Sequence, residues 1–77
     1  MHRVFLKQLG KNIKNARQAN KLSQEKLAEL IGKTRNYVGM VERAELNISA
    51  KAIFDFAQAL NVEPKSFLNF NYYSFLE

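Results

Sequence analysis

Thr34, Arg35, Asn36 and Tyr37 bring a hydroxyl, a guanidinium, a carboxamide and a phenol together in one short run of chain. A guanidinium can grip guanine O6 and N7 through two parallel hydrogen bonds, although a phosphate contact or a solvated side chain would also account for it, and a carboxamide can read an adenine edge or hold the backbone. Thr34 and Tyr37 offer hydroxyls to phosphate, although helix capping explains the first equally well and half-buried packing the second. Gln24 opens another helix, where free N–H groups and the helix dipole attract a phosphate. Lys33, Arg43 and Asn47 stand at the edges of this group as further phosphate donors. All of this is recognition chemistry. Catalysis has no comparable support: His2 is the only histidine, there is no cysteine, and the carboxylates are scattered. Neither metal-ligand spacing nor a glycine-rich phosphate loop is present, so no cofactor, no metal and no enzymatic activity are expected.

Residues 22–43 read as two short helices broken by a glycine, the layout that would present the second helix to a partner. Ala28 is small enough to let the two helices cross closely. Gly32 can take the positive φ that the tight connection demands. Val38 and Val41, three apart, bury one stripe and turn Arg35, Asn36 and Gly39 outward. Ser23 starts the first of these helices as half of a capping box, since Lys26 stands where Glu or Gln would complete it. Thr34 caps the second.

The remainder of the chain also favours helices, because no stretch keeps a period-two alternation. A first helix over about 4–19 would bury Leu6, Leu9, Ile13 and Ala16 and carry Lys7, Lys11 and Lys14 on another face. A loop is expected over 44–48. Ser49 then caps a fourth helix with Ile53, Phe56, Ala57 and Leu60 along its core face. Asn61 suits a left-handed C-cap, and Pro64 suits the first turn of a fifth helix reaching about Phe70. The expectation is one all-α domain over 1–77: a compact five-helix bundle with a helix-turn-helix at about 24–43.

Charge is unevenly shared. Residues 1–43 hold ten of the twelve Lys and Arg against Glu25, Glu29 and Glu42, and the remainder is slightly acidic. A basic half matched to a polyanion fits DNA, although a solvated basic face would look the same. With 47% hydrophobic residues the chain is too apolar for a disordered segment. There is no signal-peptide pattern and no apolar run long enough to span a bilayer, so a cytoplasmic, nucleoid-associated location is expected.

Leu-Ser-Gln-Glu-Lys-Leu-Ala, Ile-Gly-Lys-Thr-Arg-Asn-Tyr-Val, Val-Glu-Arg and Ala-Gln-Ala-Leu-Asn-Val together resemble the lambda-repressor-like (Xre-type) helix-turn-helix family over about residues 9–68. Arg-Asn-Tyr-Val-Gly-Met-Val-Glu-Arg followed by Asn-Ile-Ser is similar to the controller proteins of restriction–modification systems. The resemblance implies a homodimeric transcriptional regulator that binds double-stranded DNA at a palindromic operator, with RNA polymerase as a further partner. It implies that Gln24 supports the neighbouring recognition side chain, and that Arg17 and Glu42 form an ion pair linking the first helix to the end of the third. Ala44 departs from the family's usual glycine, Leu46 from the controllers' basic residue, and Gly39 from a common serine. A phage or plasmid repressor would share fold and mechanism, and an antitoxin-type protein-interaction module would share the shape alone.

Five of the nine aromatics, Phe67, Phe70, Tyr72, Tyr73 and Phe75, fall in the last eleven residues. A domain this small cannot bury all of them, so segment 66–77, joined by Phe54, is expected to form a homodimer interface, the alternative being a C-terminal tail that folds back on its own core.

Overall fold

The computed structural model describes residues 3–68, and within them the architecture is entirely helical. Four α-helices, α1 (Arg3–Ala19), α2 (Gln24–Ile31), α3 (Arg35–Glu42) and α4 (Ala50–Leu60), are followed by a 3₁₀ turn, Pro64–Leu68. That turn corrects the expected fifth α-helix. Both the backbone N–H and the hydroxyl of Ser66 donate to the Glu63 carbonyl, at 2.9 and 2.7 Å, and so wind the chain tightly. A five-residue segment gains too few i→i+4 bonds to offset helix nucleation, whereas the tighter turn still brings Phe67 into the core.

The helix ends follow local chemistry. Ser23, Thr34 and Ser49 each hold extended backbone and accept from the N–H three residues on, at 3.0, 3.1 and 3.0 Å. These bonds satisfy donors that a helix start leaves open. Gly32 (φ 71°) and Asn61 (φ 57°) end α2 and α4 in the left-handed region, as expected of both. Lys21 (φ 59°) and Ala44 (φ 62°) lie in that region too, where a Cβ is crowded by the following carbonyl. Ala44 thus occupies a backbone position that favours the glycine usual in the resembling family. Because Lys21 is exposed and its side chain packs little, Lys21→Gly is expected to stabilise the fold by about 0.5–1 kcal/mol, raising the melting temperature by about 4 °C. Thermal melts of the two proteins check this; an unchanged or lower midpoint would count against strain at that site.

The core joins Leu9 and Ile13 of α1, Leu27 and Ala28 of α2, Val38 and Val41 of α3, Phe56, Ala57 and Leu60 of α4, and Phe67. Leu6, Ala16 and Ile53 are half-buried at its margin. Asn12 Nδ2 donates to the Phe67 carbonyl (2.8 Å) and Asn20 Nδ2 to the Leu60 carbonyl (3.2 Å), so α1 and the turn after it tie down the ends of the later elements. At Gly10, α1 runs close against the backbone of α3. A Cβ on Gly10 would stand 2.6 Å from the Val41 carbonyl oxygen and 2.7 Å from that of Glu42.

Candidate nucleic-acid interface

The buried stripe of Val38 and Val41 fixes which way α3 faces, and the residues of its first turn project from the opposite side. Arg35 and Asn36 are exposed there, with Lys33 and Thr34 immediately before them. Among the described residues the Arg35 guanidinium has no hydrogen-bond or ion-pair partner, so its donor fork is open to a ligand. Asn36 makes one weak bond, from Nδ2 to Met40 Sδ at 3.5 Å. Thr34 is the N-cap, its Oγ1 accepting from the Tyr37 N–H.

Tyr37 takes the half-buried position. Its ring stacks on Phe56 with centroids 6.2 Å apart and planes at 7°. Lys33 Nζ lies 5.4 Å from the centre of the Tyr37 ring, within cation–π range. Desolvation and the negative charge of Asp55 raise the phenol's pKa above 10.0, so it stays a protonated donor at neutral pH. Packing on Phe56 and donation by the hydroxyl are therefore compatible roles.

Gln24 is half-buried, and its Nε2 donates to Glu42 Oε1 at 3.0 Å. Glu42 also receives Arg17 Nε (2.6 Å) and Nη2 (3.1 Å), while Arg17 Nη1 donates to the Leu22 carbonyl (2.8 Å). The two side chains of the ion pair are only 10% and 3% exposed, so this pair is shielded from water and salt. It links α1, the α1–α2 turn, the first residue of α2 and the last residue of α3. α2 and α3 are thus held in one orientation.

Two positions, Gly39 and Phe67, differ from the sequence reading, and Arg43 has a partner that the reading did not include. Gly39 is buried rather than outward, because the Arg43 side chain lies over it: an added Cβ would be 2.9 Å from Arg43 Nη1. Arg43 is engaged by Glu45, Nε to Oε2 at 3.0 Å and Nη2 to Oε1 at 3.2 Å, and this pairing raises its pKa. Phe67, expected at a dimer surface, is 1% exposed and fills the protomer's own core. Asn47 is exposed in the α3–α4 loop. Phe54 is 52% exposed, on the rim of an open groove formed with Ala57, Gln58, Asn61, Val62 and Pro64. Phe70, Tyr72, Tyr73 and Phe75 lie outside the described residues.

Sequence reasoning missed the close packing at Gly10, the third donor on Glu42 and the Arg43–Glu45 pairing. Only the last had a visible signal, opposite charges two residues apart at the end of a helix. Among the described residues no group of three or more His, Cys, Asp or Glu is placed to hold a metal ion, and no helix is long and apolar enough to cross a membrane.

Residues 13–67 match the helix-turn-helix family model. The chain is 45% identical over 53 residues to control protein C.SmaI of Serratia marcescens, a stretch that covers 69% of this chain and 63% of that protein's length. It is similar to the crystal structure of the restriction–modification controller protein C.AhdI from Aeromonas hydrophila, with 42% identity and a TM-score of 0.82 over 86% of this chain and 96% of that one. A hypothetical transcription factor from Neisseria gives a TM-score of 0.82 at 32% identity, over 94% of this chain and 83% of that one. With α2 and α3 arranged as described and the match running through both, the chain belongs to the lambda-repressor-like (Xre-type) helix-turn-helix family of DNA-binding transcriptional regulators.

Proposed function

We propose that this protein is the controller of a restriction–modification system, a homodimer that binds a palindromic operator and regulates transcription there. The observation that carries the reading is the likeness to C.AhdI across 96% of that chain, with an open Arg35–Asn36 face at the start of α3. In this reading Arg35 grips a guanine and Asn36 an adenine or the backbone. Lys33, Tyr37 and Asn47 contact phosphates, and Gln24 braces the reading helix. The exposed Phe54 groove and segment 66–77, apart from the buried Phe67, supply the contact between protomers within a single domain, setting two α3 helices about 34 Å apart along the DNA. RNA polymerase is the partner through which occupancy of the operator becomes regulation.

Selection of bound duplexes from a random pool, near physiological salt, tests the reading. A palindrome with half-sites one helical turn apart is the expected result. No enrichment by a folded protein would favour a protein-interaction module. The selected site then supports a paired test. Arg35→Ala is expected to relax specificity at one base pair per half-site, at a cost of about 1–3 kcal/mol against the preferred base. Lys33→Ala should instead weaken all duplexes alike and flatten the salt slope by about one unit. Equal loss on every sequence from Arg35→Ala would make that residue a phosphate ligand.

A further inference from the structure

Arg43 continues the exposed face that carries Asn36. The two are seven residues apart, two helical turns, with Met40 between them and bonded to Asn36 at 3.5 Å. A cation on that face belongs to the ligand side of α3. Its guanidinium is nevertheless turned back on the protein. Gly39, lacking a Cβ, provides the seat, and the Glu45 carboxylate takes two of its donors. Both side chains of the pair are about half exposed, at 55% and 48%, so water screens the attraction and opening it is cheap.

A backbone phosphate asks for the same two-pronged geometry that the carboxylate now satisfies. We propose that Glu45 is an internal competitor for DNA phosphate: it holds Arg43 across Gly39, and duplex binding exchanges that carboxylate for a backbone phosphate. Glu45 then lowers affinity twice, by occupying the cation and by leaving its own negative charge beside the DNA. Both effects are independent of base sequence, so Glu45 sets the general affinity for DNA without altering which site is preferred. The proposal rests on the DNA-binding reading and deepens it.

Two measurements test it, one with DNA and one without. Glu45→Gln keeps the shape and removes the charge. On a mixed-sequence duplex long enough for two half-sites, this variant is expected to bind about three- to tenfold more tightly at low salt, with the log–log salt slope steeper by about one unit. In an Arg43→Ala background the same substitution should give a markedly smaller gain. An equal gain in that background would show Glu45 acting as a bystander charge and overturn the exchange. So would unchanged affinity in the single variant. Without DNA, the Arg43 Nε–Hε resonance of the free protein should exchange with solvent measurably more slowly than in Glu45→Ala, the residual protection being small because the pair opens readily. Identical exchange in the two proteins would show that the clasp does not persist in solution and would overturn the proposal whatever the protein binds. A wild-type protein with the slower resonance but no duplex binding would sink the DNA reading and the exchange with it, leaving the clasp as a structural feature alone.

Discussion

Glu42→Ala is expected to lower stability by about 3–5 kcal/mol and the melting temperature by more than ~10 °C. The loss arises from what remains. Alanine leaves the Arg17 guanidinium buried with only the Leu22 carbonyl among its present partners, and strips the Gln24 carboxamide of its acceptor. An uncompensated buried charge is the expensive half of a broken ion pair, whereas replacing both partners by apolar groups of similar volume is often nearly neutral. Hence Arg17→Met combined with Glu42→Met should recover much of the loss, although each single change is damaging. Chemical denaturation of the wild type, both singles and the double closes the cycle. A folded Glu42→Ala protein with an unchanged midpoint would mean that the pair contributes nothing. For a chain of 77 residues, whose total stability is on the order of 4–12 kcal/mol, the single change approaches the threshold of unfolding.

Glu42 also illustrates which features the sequence discloses. The Arg17–Glu42 pair came from family resemblance, since residues 25 apart have no local spacing rule to join them. The third donor, Gln24, had no signal of either kind. Helix starts at Ser23, Thr34 and Ser49 and stops at Gly32 and Asn61 were legible because each depends on a few neighbouring residues whose side chains or φ preferences act locally. Core stripes were legible for the same reason. The fifth element was placed correctly but given the wrong winding, since Pro64 starts an α-helix and a 3₁₀ turn equally well. Phe67 was misjudged because aromatic crowding in the tail said that some rings must be exposed without saying which. At the candidate interface, the exposure of Arg35 and Asn36 followed from periodicity alone. The burial of Gly39 did not, for it depends on where the Arg43 side chain turns.

Gly10 is the clearest case of information held only in three dimensions, and it yields the second large prediction. In an isolated helix, alanine is favoured over glycine by about 1 kcal/mol, so Gly10→Ala within α1 would be expected to stabilise. Packing reverses the sign. The new methyl would meet the Val41 and Glu42 carbonyl oxygens at 2.6 and 2.7 Å and the Glu42 carbonyl carbon at 3.1 Å. These are backbone atoms of the last turn of α3, unable to rotate away as a side-chain tip could. Relief requires α1 and α3 to separate, which disturbs the packing of Leu9 and Ile13 against Val38 and Val41 and stretches the Arg17–Glu42 bonds. Overpacking of this kind costs about 1–3 kcal/mol, and the rigid obstacle places Gly10→Ala at the upper end or above. Urea denaturation should therefore show a net loss of about 2–4 kcal/mol despite the gain in helix propensity. Because the same separation loosens Glu42, the Gly10→Ala and Glu42→Ala losses should be less than additive when combined. A stabilised Gly10→Ala protein would mean that α1 stands further from α3 at this point, with room for a methyl group between them.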